Sequence, residues 1–171
     1  MAISLIISAL NEEETIGQVL AQIPPGAVDE ILVIDGYSTD KTREIARKAG
    51  AKVILQEGGK GYGRATITGL KYATGGTIIL LTADLSQDPR DIPKLLAKLN
   101  EGCDMVMASR YMKGGGSEDD TFLHYIGNNL FTFLCNLLHG SRFSDLLYFF
   151  NIANISNSTG ISCWNRYKSA Q

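Results

Sequence analysis

The fold class is decided by the stretch Leu80-Leu81-Thr82-Ala83-Asp84-Leu85-Ser86-Gln87-Asp88-Pro89. An apolar run, Thr77–Leu81, leads into an acid, Asp84, and Pro89 then opens a helix-like segment. Proline is favoured at the first position of a helix, so this pattern is typical of a strand, a loop and a helix in succession. In α/β proteins, ligands bind at the carboxyl ends of the strands. A carboxylate at the tip of a buried strand therefore marks a candidate binding site.

Two earlier apolar runs also end close to acids or amides. The strand-like segment Glu30–Asp35 closes on Asp35 itself, and Ile3–Ser8 is followed by Asn11-Glu12-Glu13. If the three strands are parallel, their carboxyl ends lie on the same edge of one sheet. The sequence thus predicts that these polar groups converge.

Alternation of short apolar runs with amphipathic segments predicts an α/β fold. A mostly parallel sheet flanked by helices on both faces is expected, because strands of such sheets are apolar on both sides. The predicted strands are Ile3–Ser8, Glu30–Asp35, Lys52–Gln56, Thr77–Thr82 and Met105–Ser109, and the predicted helices are Thr15–Ile23, Lys41–Lys48, Gly63–Tyr72 and Ile92–Leu99.

Composition narrows the class of protein. The 171 residues are 44% hydrophobic and 20% charged with a net charge of −2, which is typical of a globular domain and argues against a nucleic-acid partner. The three cysteines, Cys103, Cys135 and Cys163, lack metal-ligand or redox spacing. No secretion signal or run of about 20 apolar residues is evident. We therefore expect a cytoplasmic protein.

The pattern changes near Lys113, so residues 1–112 are predicted to form the binding core and residues 113–171 the remainder of the same domain. Residues 114–120 are acidic and glycine-rich, and Phe122–His139 is rich in leucine and phenylalanine. That segment is expected either to pack against the core or a partner, or to lie on a membrane surface. The tail from Asn151 shows no clear periodicity and is predicted to be a frayed end.

A glycine-rich segment, Gly58–Ala65, precedes the third predicted helix. Glycines allow the backbone to approach a ligand closely, and Lys60 or Arg64 could neutralise a phosphate. The segment matches neither the P-loop pattern nor the dinucleotide fingerprint, because it lacks the required spacing and does not follow the first strand.

Taken in order, these motifs resemble those of family 2 glycosyltransferases with the Rossmann-like GT-A fold. The subgroup that the sequence resembles is the dolichyl- or polyprenyl-phosphate mannosyl- and glucosyltransferases. The resemblance covers Ile3 to Arg110, and more weakly Gly127 to Asp145. It is carried by Asn11-Glu12-Glu13, Asp35-Gly36-Tyr37-Ser38-Thr39-Asp40-Lys41-Thr42, Gly59-Lys60-Gly61, Ala83-Asp84 to Asp88-Pro89, and Ser109-Arg110.

The resemblance implies an inverting transfer of a hexose from a nucleotide sugar of the GDP-mannose or UDP-glucose type to a polyprenyl or dolichyl phosphate. It implies peripheral contact with the cytoplasmic membrane face, and leaves a homo-oligomer open. By the same resemblance, Asp84 would hold Mg²⁺ or Mn²⁺ against the diphosphate, and Arg110 would steady a phosphate unless it forms an ordinary surface ion pair. Asp145 is the remaining candidate for a catalytic carboxylate. The nucleoside pocket would be lined by Leu10, Asn11, Glu12, Asp35 and Lys60.

Two departures from the family pattern bear on the function. The usual Asp-x-Asp metal motif reads Thr82-Ala83-Asp84, so a weaker metal site is expected. Asp145 is followed by apolar residues rather than by the glycine, phenylalanine and arginine of the subgroup. A degenerate homologue that binds nucleotide without turnover is therefore the alternative. A nucleotidyltransferase is disfavoured because Ser8–Glu14 contains no glycine.

Overall fold

Residues 2–109, 122–139, 150–155 and 167–170 are described by the computed structural model of the protein. Alternating strands and helices make up its first 109 residues, as the sequence predicts. The strands are β1 Ile3–Ala9, β2 Glu30–Asp35, β3 Lys52–Leu55, β4 Thr77–Thr82, β5 Met105–Ala108, β6 Asn151–Asn154 and β7 Tyr167–Ala170. The helices are α1 Ile16–Ala21, α2 Thr42–Lys48, α3 Tyr62–Tyr72, α4 Ile92–Leu99 and α5 Phe122–His139, with a 3₁₀ turn at Pro89–Asp91.

The strands form one seven-stranded sheet in the order β3-β2-β1-β4-β6-β5-β7. Strands β1 to β4 pair in parallel, whereas β6 runs antiparallel to both β4 and β5. Ser8 of β1 lies level with Ile34 of β2 on one side and with Thr82 of β4 on the other. This register brings three strand ends to the same height, and the predicted mostly parallel sheet is confirmed.

Side chains of successive strand residues point to opposite faces, so the sheet supports two apolar cores. On one face, Leu5 and Ile7 pack with Ile16 of α1 and with Ile92 and Leu95 of α4. On the other face, Ile6, Leu32 and Ile34 pack with Ala65 of α3. Burial of each such side chain contributes about 1.5–3 kcal/mol of transfer free energy, so the packed helices fix the strands in place. The expectation of helices on both faces is confirmed.

The structure corrects the prediction that the tail from Asn151 is a frayed end. Asn151–Asn154 is strand β6, inserted between β4 and β5, and is not a frayed end. Its Ile152 is fully buried and lies opposite Ile79 and Val106. The strand has only four residues and carries asparagine at both ends, so it presents neither an alternating nor a continuous apolar pattern.

Helix α5 buries polar residues and exposes apolar ones. Asn128 and Thr132 are buried, while Phe133, Leu137 and Leu138 are each more than half exposed. In the described part of the chain, no helix is both long enough and apolar enough to cross a membrane. The predicted division at residues 112 and 113 falls outside the described residues and stays a prediction.

Two glycines of α3 provide a matched test of the packing between α3 and β1. A methyl group on Gly69 would lie 2.4 Å from Ile6 Cγ2, whereas one on Gly63 would meet no atom within 4 Å. We expect Gly69→Ala to lower the free energy of unfolding by about 1–3 kcal/mol through overpacking. Gly63→Ala should raise it by about 0.5–1 kcal/mol, because alanine loses less backbone entropy in a helix. Urea denaturation measures both, and equal effects of the two variants would contradict the packing.

Candidate functional site

A cleft of about 200 Å³ opens at the carboxyl edge of the parallel strands. Leu10 and Glu12 border it after β1, Gly36 borders it after β2, and Asp84 borders it after β4. The start of α3 forms the opposite wall through Gly61, Tyr62 and Ala65. The cleft thus lies where consecutive strands of an α/β sheet end, which is the usual place for a ligand in this class.

The loops that follow β1 and β2 are held together by reciprocal hydrogen bonds. Five backbone N–H groups, two after β2 and three after β1, donate to side chains of the other loop. The pairs are Asn11 N to Ser38 Oγ (2.9 Å), Glu12 N to Thr42 Oγ1 (2.7 Å), Glu13 N to Asp40 Oδ2 (3.1 Å), Thr39 N to Asn11 Oδ1 (2.8 Å) and Lys41 N to Glu13 Oε2 (3.0 Å). The motif residues of these two loops therefore satisfy each other's backbone groups.

Asp35, the acid that closes β2, is fully buried beneath these loops. Both of its carboxylate oxygens accept a hydrogen bond from the N–H of Ser38, at 3.3 and 3.2 Å. Arg43 of α2 places its Nε 3.7 Å from Asp35 Oδ2 and compensates the buried charge. Asp35 is one residue away from Gly36 in the cleft wall but does not itself line the cleft.

The acid at the end of β4 is exposed and is positioned by its neighbours. Thr82 Oγ1 donates to Asp84 Oδ1 at 2.7 Å, and the N–H of Ser86 donates to the same oxygen at 3.0 Å. Gln87, which is buried, accepts the N–H of Thr82 at 2.9 Å. Partial burial acts to raise the pKa of Asp84, but hydrogen bonds from Ser86 and Thr82 outweigh it and hold the pKa below its usual value. The acid is therefore a carboxylate at neutral pH.

Three residues that follow the ends of β1, β2 and β4 have a left-handed backbone although none is glycine. Their φ angles are 56° at Asn11, 70° at Tyr37 and 63° at Leu85. Such a conformation costs roughly 1–2 kcal/mol for a residue with a side chain, and asparagine tolerates it best. Strained backbone gathers at functional sites, where the surrounding structure holds it in place. Its appearance after all three strands supports this edge of the sheet as the candidate site.

Gln56, directly after β3, was not singled out from the sequence, yet it lines the cleft. Its side-chain Nε2 donates to the carbonyl oxygens of Gly59 and of Gly61, the latter at 3.1 Å. These bonds hold residues 58–61, which we call the glycine loop, in positive-φ conformations at Gly58, Gly59 and Gly61. A polar residue at the end of an edge strand is common, so no signal in the sequence distinguishes Gln56.

Tyr62, the first residue of α3, is half-buried in the cleft wall beyond the glycine loop. Burial raises the pKa of its hydroxyl, and the charge of Asp84 acts in the same direction. Tyr62 is therefore a neutral phenol at physiological pH. Tyr62 and Asp84 both line the cleft, so the start of α3 and the end of β4 border one space.

The site residues predicted from the sequence fall into three groups. Leu10, Glu12 and Asp84 line the cleft together. Asn11, in the loop after β1, and Asp35, at the end of β2, lie behind its wall. Lys60 is exposed on the glycine loop next to Gly61. Arg110 and Asp145 lie outside the described residues. The roles assigned to these residues stay predictions.

A divalent metal can be accommodated here by a single carboxylate. Among the residues that the structure describes, no group of three or more His, Cys, Asp and Glu side chains is arranged to hold a metal ion. Mg²⁺ and similar hard cations, however, are often held by one or two carboxylates together with phosphate oxygens of a substrate. Asp84 is a carboxylate of this kind at the edge of the cleft, and hydrogen bonds from Thr82 and Ser86 hold it in place. Asp84 therefore fits a metal that is carried by a phosphorylated ligand.

Known proteins are similar to this chain in sequence and in fold. The chain is 36% identical over 129 residues to a dolichol-phosphate mannosyltransferase of Pyrococcus furiosus, covering 71% of this chain and 37% of that protein. It is 34% identical over 145 residues to a dolichyl-phosphate hexose transferase of Haloferax volcanii, covering 84% and 62%. The chain spans about half the length of the curated relatives it matches.

A solved structure confirms the predicted GT-A class of fold. Glucosyl-3-phosphoglycerate synthase from Mycobacterium tuberculosis, in complex with Mn²⁺, UDP and glucosyl-3-phosphoglycerate, matches with a TM-score of 0.72 and 27% identity. The match covers 91% of this chain and 57% of that chain. The family model described as Glycosyl transferase family 2 matches residues 4–155. The chain belongs to glycosyl transferase family 2.

Proposed function

We propose that this chain is the donor-binding part of a glycosyltransferase. The enzyme would move a hexose from a nucleoside diphosphate sugar to the phosphate of a polyprenyl lipid. The observation that carries the proposal is the shared cleft: Asp84 at the end of β4 faces the glycine loop and the start of α3 across one space. An acid for a metal and backbone suited to phosphate are thus close together, as a nucleoside diphosphate requires.

The donor side is supported by physical features of the cleft. Lys60 and Arg64 are exposed cations on either side of the start of α3, and neither forms an ion pair with a described residue. The N-terminus of α3 adds the positive end of an eleven-residue helix to the same wall. Both features favour the negative charge of a diphosphate. The similar structure that holds UDP and Mn²⁺ supports the same class of donor.

Asp84 would hold the metal, with Thr82 acting as its positioning residue. A bound divalent cation would neutralise the negative charge that develops on the departing nucleoside diphosphate. Thr82 cannot supply the second carboxylate of an Asp-x-Asp motif, but its hydroxyl fixes Asp84 Oδ1 at 2.7 Å. Because hydrogen bonds hold the pKa of Asp84 below its usual value, the acid stays ionised until the pH falls well into the acidic range. We therefore expect no loss of metal binding from Asp84 protonation between pH 5 and 8.

The proposed acceptor is a phosphate because it needs no general base. An ionised phosphate oxygen can form its bond to the anomeric carbon while the bond to the nucleoside diphosphate breaks, which inverts the configuration at that carbon. A sugar hydroxyl would instead require a nearby carboxylate. Asp145 is the one candidate from the sequence, and it lies outside the described residues. The names of the two archaeal relatives support a dolichyl phosphate acceptor.

The exposed apolar face of α5 supports a lipid acceptor. Phe133, Leu137 and Leu138 project from a stretch of helix that carries no charged residue. Such a face could lie on a membrane surface, which is where the phosphate of a polyprenyl lipid resides. We therefore include peripheral membrane contact in the proposal.

A second candidate function is favoured by Thr82 alone. A homologue that has lost one of two metal carboxylates could bind nucleotide and a partner without turnover. The two functions differ in whether the sugar is transferred, so an assay of hexose transfer to acceptors separates them.

Thr82→Val tests the positioning of Asp84. The substitution keeps the side-chain volume but removes the hydroxyl that donates to Asp84 Oδ1. We expect the pKa of Asp84 to rise toward its usual value, because a bond that stabilises the ionised form is lost. A carboxyl-detected NMR titration measures this, with Thr82→Ser as the control that retains the hydroxyl. An unchanged pKa in Thr82→Val would contradict the role of Thr82.

Asp84→Asn tests the metal site against a matched control. Asp88 is the neighbouring acid, but it is paired with Arg90 at 2.7 Å and caps the 3₁₀ turn. We expect Asp84→Asn to weaken Mn²⁺-dependent binding of UDP or GDP at least tenfold, and Asp88→Asn to change it by less than about twofold. Calorimetry with Mn²⁺ and then with EDTA provides the measurement. Binding that is indifferent to EDTA in the unmodified protein would remove the metal from the proposal.

The acceptor is tested by transfer of labelled hexose from UDP-glucose and from GDP-mannose. We expect product with a short-chain polyprenyl phosphate and none with the corresponding polyprenol, because the phosphate is the nucleophile. Transfer to phosphoglycerate instead would overturn the lipid acceptor. Nucleotide binding without transfer to any of these acceptors would favour the degenerate homologue.

A further inference from the structure

The side-chain amide of Gln56 uses its nitrogen in hydrogen bonds, whereas its oxygen accepts none from the described residues. The residue lies directly after β3 and is only 3% exposed. Its Nε2 donates to the carbonyl oxygens of Gly59 and Gly61. Because both partners are acceptors, only the amino end of the amide can face them, and the orientation of the side chain is settled. The carbonyl oxygen Oε1 must point away from the glycine loop.

Oε1 of Gln56 reaches the cleft. A methyl group built on Gly36, which lines the cleft, would lie 3.5 Å from this oxygen. No described residue donates a hydrogen bond to it. Across the described residues, the one buried side-chain nitrogen or oxygen without a partner is Asn151 Oδ1. Gln56 Oε1 has no donor among the described residues and is not among the buried atoms without a partner, so this oxygen is accessible. The cleft that Gln56 lines is the open space next to it.

The other acceptor near this wall is already occupied. Asp35 is fully buried, and its two oxygens accept from Ser38 and lie beside Arg43. A ligand that enters between Gly36 and the glycine loop therefore meets Gln56 Oε1 as the available acceptor. An acceptor in such a recess favours a ligand with a matching N–H, because a ligand without one leaves the oxygen desolvated and unpaired.

We propose that Gln56 Oε1 accepts a hydrogen bond from the ring N–H of the donor's nucleobase and makes the site selective for uracil or guanine. Both bases carry a ring N–H beside a carbonyl group, at N3 of uracil and at N1 of guanine. Cytosine and adenine present a lone pair at the equivalent ring nitrogen, which would face the lone pairs of Oε1. The inference rests on the proposed function, since it assigns one residue within the donor site.

Methylated nucleotides test the inference on the unmodified protein. Calorimetry compares UDP with 3-methyl-UDP, in which the ring N–H is replaced, and with 5-methyl-UDP, in which a methyl group of equal size leaves it intact. The same comparison is made between GDP and 1-methyl-GDP. We expect N-methylation to weaken binding about tenfold or more, and 5-methylation to change it by less than about threefold. Equal affinity for UDP and 3-methyl-UDP, with GDP and 1-methyl-GDP also equal, would overturn the inference while leaving the proposed function intact.

Two substitutions separate recognition of the base from support of the loop. Gln56→Glu loses the N–H groups that hold Gly59 and Gly61 but keeps an acceptor, so overall binding should weaken while the N-methyl penalty remains. Gln56→Ala loses both the N–H groups and the acceptor oxygen. Nucleotides with and without the N-methyl group should then bind about equally well. Gln18→Leu, on the exposed side of α1, serves as the control and should retain the full penalty. If Gln56 only supports the loop, the penalty in Gln56→Ala equals that of the unmodified protein. Failure of every nucleotide to bind would overturn both the inference and the proposed function.

Discussion

The interlocked loops after β1 and β2 are the constraint on which the cleft depends. Each loop leaves several backbone N–H groups without a partner in the sheet, and an unpaired buried donor costs about 1–3 kcal/mol. Asn11 resolves this by adopting a left-handed backbone, which lets its own N–H donate to Ser38 while its side chain accepts from Thr39. The reciprocal bonds offset the strain and fix the strand ends. Leu10 and Gly36 thereby form a continuous wall.

The same bonds explain why the sequence predicts the location of the site better than the contacts within it. Asn11 and Asp35 resemble ligand-binding residues of the family. In the structure, Asn11 accepts a hydrogen bond from the neighbouring loop after β2, and Asp35 accepts one from Ser38 in the loop that follows its own strand. The apolar runs of β1, β2 and β4 were sufficient to predict the sheet, because a parallel strand buried on both faces must be apolar throughout. Strand β6 and Gln56 could not be predicted, since their roles come from long-range pairing and from the orientation of one amide.

Thr82 stands where the family's usual Asp-x-Asp motif has its first acid, and this changes the electrostatics at the end of β4. Two adjacent carboxylates would repel each other and raise one pKa in the absence of a cation. A hydroxyl instead donates to Asp84 at 2.7 Å and helps to hold its pKa below the usual value. The end of β4 therefore carries a single stable anion, and only a weak affinity for a free cation is expected of it. Under the proposed function, a single anion would suit a metal that arrives already bound to a diphosphate.

Every described residue that lines the cleft comes from the first 84 positions, so the proposed donor site is built by four parallel strands and the loops that join them. The candidates for the acceptor side, Arg110 and Asp145, come after β4 and outside the described residues. Helix α5 belongs to this later part, and it reverses the usual rule by burying Asn128 while exposing Leu137 and Leu138. Under the proposed function, recognition of the donor and recognition of the acceptor would therefore depend on different parts of the chain. Hydrogen bonds join Gln56 to the glycine loop and to Tyr37 after β2. Substitutions in the wall near Gln56 should therefore change the preferred nucleotide without changing the acceptor.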